Sequence, residues 1–327
     1  MLQYDNNLDD RRVIIFATKN NLTALEQSSS WYIDATFSSS PQRFYQLLTV
    51  HAEMVNFTED STWCFPCVYI LLTHKDTPIY MEAFGALKNL GSFSPDRIMV
   101  DFELALRNAL SSTFESAQVD GCFFHICQAV MRAVGRLGYK EEYEKVLTDP
   151  SSGQKNYTPT RIWIRRLMLL AFIPTEDVIE AFFRILDDIP IGLDIDDLLA
   201  YFQTTWIQGL TTASGTGRAK FPPSTWNAYE RSHFNMNRTN NVVESWNKKF
   251  SALVGHANPT IYNFIAAVQM EQSSTDKKIL ANSLGEQPPK RKKANSDKDR
   301  RNLSIVQNYH SYEDDVLTYI DLLKSAM

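Results

Sequence analysis

Arg238-Thr-Asn-Asn-Val-Val-Glu-Ser-Trp-Asn-Lys-Lys249 sets one carboxylate, Glu244, among amides, cations and apolar side chains. Asn240 or Asn241 suits an N-cap, and Val243, Trp246, Phe250 and Leu253 then recur at helical spacing, with Glu244 in the first turn. Alone, such a glutamate needs no function, because the helix dipole favours an acid there. Two acids upstream change the reading. Asp34 interrupts the aromatic and β-branched run Trp31-Tyr-Ile-Asp-Ala-Thr-Phe37, and Asp101 closes the apolar run Arg97-Ile-Met-Val-Asp101. An acid inside an apolar strand is costly unless a cation or hydrogen bonds compensate.

Working outward, residues 12–17 predict a strand and 20–26 a short helix, and 31–37, 42–51 and 66–74 predict an antiparallel meander. At Pro78 the period changes. Ile79, Met81, Phe84, Leu87 and Leu90 predict a helix that stops at Gly91, followed by a strand at 97–101 and a helix at 104–114. Residues 119–125 predict a strand running into a further helix. Beyond it the β signal largely ends, and helices are expected at 141–147, 161–172, 175–186 and 198–210. A loop at 211–223 precedes the helix of Glu244, and one more helix is expected at 259–272. The expected organisation is an N-terminal tail (1–11), a first core segment (12–139), a helical insertion (140–235), final core helices carrying Glu244 (236–282), a basic disordered linker (283–303) and a C-terminal helix (304–327).

Composition bounds the setting. A chain of 327 residues, 44% hydrophobic and 12% aromatic, can bury a large core as two domains or one with an insertion. Its first ten residues are polar and no apolar run spans a bilayer, so neither a secretory leader nor a membrane partner is expected. Four cysteines are too few for a disulfide scaffold, which agrees with a reducing compartment. The net charge of -5 is uneven: residues 290–301 carry a local +5, leaving the rest near -10. An acidic body excludes a general polyanion binder, so nucleic acid must be met by local patches. Pro288-Pro-Lys-Arg-Lys-Lys293 fits either a nuclear-localisation run or a solvated linker.

Four motifs occur in order: Trp31-Tyr-Ile-Asp-Ala-Thr-Phe37, Ile98-Met-Val-Asp-Phe-Glu103, Gly121-Cys-Phe-Phe-His-Ile-Cys-Gln-Ala129, and Arg238-Thr-Asn-Asn-Val-Val-Glu-Ser-Trp-Asn247. Together they make residues 12–272 resemble Mutator-like element (MULE) transposases, which are DDE enzymes. The resemblance implies an α/β fold: a ribonuclease H-like mixed sheet flanked by helices, with an all-α insertion before the last catalytic helix. It implies catalytic, metal-holding acids at Asp34, Asp101 and Glu244, and a Cys-x-x-His element at Cys122 and His125, with His125 near the acids. The activity implied is metal-dependent DNA cleavage and strand transfer with two Mg²⁺ or Mn²⁺ ions, because phosphodiester displacement uses hard cations that prefer carboxylate oxygens. DNA at element ends and target, a homo-oligomer that pairs two ends, and the nucleus follow as expectations. Arg231, Arg238, Lys248 and Lys249 are candidates for gripping DNA phosphates. The family's usual zinc-binding recognition module does not precede these motifs in this sequence, which leaves recognition of element ends open between a chain that is a fragment, a partner that recognises them, and the helical insertion. The alternative is a domesticated or truncated derivative that binds DNA or protein in the nucleus without catalysis.

Other patterns have competing readings. Trp63-Cys-Phe-Pro-Cys67 imitates a thioredoxin motif, but its cysteines lead into a strand rather than a helix. Cys64, Cys67, Cys122 and His125 match a Cys₃His zinc set in type, yet residues three apart on a strand face opposite sides, so zinc is not expected and buried free thiols are. Asp187, Asp188, Asp194, Asp196 and Asp197 lack the glycine and terminal glutamate of an EF-hand.

Overall fold

The computed structural model describes residues 1–55, 62–149, 151, 153, 155–189, 195–209, 211–212, 215–288 and 293–326. The chain divides into two compact units, Met1–Asp120 with Thr239–Arg291, and Gly121–Arg238 with Lys292–Met327.

In the first unit, β1 (Leu2–Asp5) and β2 (Val13–Phe16) lead into α1 (Lys19–Glu26). The meander follows as β3 (Ser30–Thr36), β4 (Gln46–Val55) and β5 (Thr62–Leu72), and then α2 (Thr77–Lys88), β6 (Arg97–Val100), α3 (Leu104–Thr113) and β7 (Gln118–Gly121). The strands form one seven-stranded mixed sheet in the order β1-β2-β5-β4-β3-β6-β7, with β3 antiparallel to β4 and parallel to β6. Alternation along the strands separates two faces. Trp31, Ile33, Leu48, Val50, Val68 and Ile70 point into one core with Phe84 and Leu87 of α2 and Leu106 and Leu110 of α3.

In the second unit, α4 (Phe123–Arg136) and α5 (Lys140–Glu144) precede a two-stranded ribbon of β8 (Val146–Thr148) and β9 (Lys155–Tyr157). Helices α6 (Pro159–Leu169), α7 (Val178–Asp187) and α8 (Asp196–Phe202) follow, then a π-turn at Gln203–Ile207, a small ribbon of β10 (Thr211–Thr212) and β11 (Gly215–Thr216), and α9 (Tyr229–His233). The chain then returns to the first unit with α10 (Asn241–Val254) and α11 (Ile261–Ser283), and ends in the second with α12 (Lys293–Gln307) and α13 (Val316–Ala326). Trp163, Phe182, Phe202, Trp226 and Tyr319 are buried in the second unit, where Arg166 pairs with Asp321 at 2.8 Å and with Asp188.

Helices α10 and α11 cover the opposite face of the first unit's sheet. Trp246, Phe250, Val254, Phe264 and Val268 meet Ile14, Phe16, Leu47, Tyr69 and Leu71 there. The first unit is thus a mixed sheet with helices on both faces, a three-layer solution that buries every central strand.

Several expectations are corrected. The tail at 1–11 contains an edge strand, fixed by the Ala17 amide on the Met1 carbonyl and by the Arg12–Asp5 pair at 2.8 Å. The strand expected at 119–125 stops at Gly121, and Phe123, Phe124 and His125 open α4 instead. The linker expected at 283–303 is helical from Lys293, because Asn302 and Val306, one turn apart, are buried in the second unit. The basic run at 288–293 lies largely outside the described residues. Boundaries of the second unit fall at Asp120/Gly121 and Arg238/Thr239 rather than at 140 and 235, and its helices are accompanied by two short ribbons.

Candidate active site

The parallel pairing of β3 with β6 sets the first two acids side by side. Its register matches Ser30 to Arg97, Trp31 to Ile98 and Tyr32 to Met99, and two more steps bring Asp34 opposite Asp101. Asp34 lies on the face that α10 covers, since its neighbours Ile33 and Trp31 enter the other core. Asp101 follows directly after β6 and accepts the Glu103 amide at 3.1 Å, a local turn that orients its carboxylate at the start of α3.

The third acid arrives on α10. Asn240, Glu244 and Asn247 fall at i, i+4 and i+7, a single stripe down the helix. Asn240 stands at the N-cap, but its amide does not cap the helix; it donates to the Ile33 carbonyl at 3.3 Å. Asn247 donates to Asp34 Oδ2 at 2.7 Å. The two asparagines tie the helix to β3 on either side of Glu244. The apolar stripe of Val243, Trp246, Phe250 and Val254 is buried on the neighbouring face, and Gly255 ends the helix at φ 87°, a left-handed geometry that glycine takes without strain.

The electrostatics show that the acids share one field. Asp34 is pushed up to about 7, first by burial and then by the negative charge of Asp101, with Glu244 adding to it, while the Ala35 amide and Asn247 act in the opposite sense. Near neutral pH Asp34 is therefore divided between its protonated and charged forms. Removing the amide in Asn247→Ala is expected to raise Asp34 by about one further pH unit, the worth of one charge-assisted hydrogen bond. The pH midpoint of Mn²⁺ binding should then move upward, and an unmoved midpoint would show that Asn247 does not hold the carboxylate in solution.

The donor chemistry fits hard divalent cations, because Asp101 and Glu244 both act on Asp34 through their negative charge and a cation would offset that repulsion. The fit is one of chemistry and mutual field rather than of a preformed cage. Among the described residues, no group of three or more His, Cys, Asp and Glu side chains is gathered closely enough to hold an ion.

A polar chain behind Asp101 had no signal in the sequence. Gln46 donates to the Tyr80 hydroxyl at 2.7 Å, Tyr80 to Glu103 at 3.0 Å, and Lys75 pairs with Glu103 at 3.2 Å. Glu103 is raised, mainly by burial, while Lys75 and Tyr80 act to lower it. Asn247 was legible in principle, being one turn from Glu244 on the same helix face.

The remaining candidates divide between the two units. Cys122 and His125 belong to the second unit, at the N-terminus of α4, where the His125 amide donates to the Cys122 carbonyl at 3.0 Å. Arg231, expected to grip phosphate, is only 3% exposed and donates to the Gly121 and Asn227 carbonyls at 3.2 and 3.3 Å. It is an internal strut, a correction that follows from its burial. Arg238, also in the second unit, pairs with Asp299 at 2.9 Å. Lys248 and Lys249 are exposed on α10. All four cysteines carry free thiols; Cys64 and Cys67 sit within β5, with Cys67 buried and pushed up to about 12 by that burial, which makes it a poor nucleophile.

Residues 30–129 match the MULE transposase domain. The MULE span holds Asp34 and Asp101 together with Cys122 and His125, while Glu244 lies beyond it on α10. Among solved structures, the Drosophila P element transposase strand transfer complex is similar at 11% identity over 79% of this chain and 79% of that one, with a TM-score of 0.35. No curated protein matches the chain.

Proposed function

We propose that the first unit is a DDE transposase catalytic domain of ribonuclease H-like fold, which cleaves DNA strands and transfers them by in-line phosphoryl displacement. The observation that carries this reading is that Asp101, at the end of β6, and Glu244, on α10, both act on Asp34 of β3 through their charge, in a chain whose residues 30–129 match the MULE transposase domain. The strand order β5-β4-β3-β6-β7, with β3 to β5 as a meander and β6 parallel to β3, supports the fold assignment.

In this reading Asp34, Asp101 and Glu244 hold two Mg²⁺ or Mn²⁺ ions. Bound, such ions supply positive charge to the attacking and departing oxygens of a phosphodiester displacement. Asp34 must give up its proton before it can serve as a ligand, so the site's readiness rises with pH through about 7. Asn247 holds Asp34 Oδ2. Asn240 anchors the start of the helix that carries Glu244 to β3. His125 is kept as a candidate for contact with phosphate, and exposed Lys248 and Lys249 as contacts to the DNA backbone. DNA as partner, a nuclear location and a homo-oligomer that pairs two ends belong to the same proposal.

Nicking of supercoiled plasmid tests it without knowledge of the element ends. The wild type is expected to nick in Mn²⁺ and more slowly in Mg²⁺, and Asp101→Asn and Glu244→Gln to lose the activity while keeping their circular dichroism spectra. Cleavage that survives either substitution would remove the three-acid reading. A folded wild type that binds DNA but neither nicks it nor binds Mn²⁺ would return the protein to the non-catalytic alternative.

A further inference from the structure

Beside the acids, at the end of the sheet where β3 finishes and β4 begins, two large aromatic rings face solvent. Phe37 lies three residues past Asp34 and is 46% exposed, and Tyr45, directly before β4, is 52% exposed. Their rings meet edge to face at 5.4 Å, and both rings keep solvent-exposed surface. Lys75 lies 5.6 Å over the Phe37 ring and also pairs with Glu103, whose amide orients Asp101. The platform is therefore joined to the second acid through one side chain.

The loop between the rings is held rather than free. The Gln42 amide donates to the Pro259 carbonyl at 3.1 Å, the Asn258 amide to the Ser38 carbonyl at 2.9 Å, and the Tyr45 amide to the Leu72 carbonyl at 2.8 Å. Arg43, exposed at the loop tip, takes φ 80°, a conformation costly for a side chain with a Cβ. The two rings, with Lys75 over one of them and Arg43 in the loop that joins them, leave about half of their surface to water, and a planar group stacked on them would bury it.

We propose that Phe37 and Tyr45 form a stacking platform for unpaired DNA bases next to the reacting phosphodiester, with Lys75 and Arg43 holding the backbone of the same strand. The identity of the strand rests on the transposase reading above. Charge and shape select it: flat π faces accept any base, adjacent cations accept phosphate, and a base reaches such a face only when it is unstacked from a duplex. A platform three residues from Asp34 would keep the strand frayed at the point of attack.

The test measures binding of a fluorescein-labelled 15-nucleotide single strand and of a blunt duplex of the same length by anisotropy, using the full chain at fixed low salt. Phe37→Leu with Tyr45→Leu removes the π faces while keeping apolar bulk, and Tyr45→Phe keeps the face. The double leucine variant is expected to lose about tenfold in single-strand affinity, with Tyr45→Phe close to wild type and duplex affinity unchanged. Lys75→Ala should weaken single-strand binding and reduce its salt dependence by about one unit of slope. Mn²⁺ binding is read on the same samples. Single-strand affinity that is equal in wild type and the double leucine variant while Mn²⁺ binding is intact overturns the platform and leaves the active-site reading standing. Single-strand binding too weak to detect in the wild type, or an equal loss on duplex and single strand, overturns it as well.

Discussion

Asp34→Asn is expected to abolish divalent-cation binding and strand cleavage, and at the same time to stabilise the metal-free first unit above pH 8. The folded-state value of Asp34, about 7, lies above that of a carboxylate in an unfolded chain. Between about pH 4 and 7 the native state keeps a proton that the unfolded state has released. Wild-type stability therefore falls as pH rises through that window, and the charged, crowded form carries the full penalty above it. Three pH units correspond to about 4 kcal/mol. Allowing for the partial solvent access of Asp34, the gain in the asparagine variant should be about 1–3 kcal/mol at pH 8 and near zero at pH 4. Urea unfolding at the two pH values checks this. Saturating Mn²⁺ should reverse the order, because only the wild type gains from binding. Equal stability at pH 8 would mean that neither burial nor the neighbouring acids disfavour the Asp34 carboxylate in the folded protein.

The second large effect is expected from Trp246→Ala. Trp246 is 6% exposed, stacks on Phe250 at 4.8 Å, meets the His51 ring edge-on at 5.0 Å and donates its indole N–H to Glu271 at 2.9 Å. Truncating it removes the centre of the contact between α10 and the sheet, at a cost of about 3–5 kcal/mol. Glu244 sits on the same helix, two residues away, so Mn²⁺ affinity should fall with stability. His51 reports the change directly. Burial, with a smaller contribution from the charge of Lys278, pushes it down to about 3. With the indole gone and water admitted, its titration followed by NMR should climb back toward the ordinary histidine range. A His51 that still titrates as in the wild type would show that α10 repacks over the gap, and Mn²⁺ binding should then survive.

How much of this was legible follows from the range over which each signal acts. Asp34 and Asp101 stood out because each lies in or at the end of an apolar run of strand length, and Glu244 because it opens a periodic helix; these are local patterns. The polar chain of Gln46, Tyr80, Glu103 and Lys75 comes from four separate elements or loops, and no spacing in the sequence joins them. Leu2–Asp5 was read as a polar tail because an edge strand is tied down mainly by backbone hydrogen bonds, which leave no periodic apolar signature. Arg231 was misread for a related reason: its charge suggested the surface, yet its guanidinium serves backbone carbonyls made accessible only by tertiary folding. Helix α12 was hidden by its charge density. Two buried positions, Asn302 and Val306, are enough to seat it once a neighbour supplies the surface.

That misread arginine also bears on how the site is completed. The chain leaves the first unit after Asp120 and rejoins it at Thr239, so Asp101 and Glu244 are separated in sequence by the Gly121–Arg238 part of the second unit. For a flexible tether of that length, bringing its ends together costs about 4 kcal/mol of entropy. The second unit closes this loop within itself: the Phe123 amide donates to the Arg238 carbonyl at 3.1 Å, and Arg231 reaches back to the Gly121 carbonyl. Folding of the second unit therefore delivers the chain back beside its point of departure, and Glu244 has only a short segment left to travel. During synthesis, Asp34, Asp101 and Glu244 can come together only after residues 121–238 have been made and α10 has emerged, so a ribosome-bound chain lacks the third acid until most of the protein has been made.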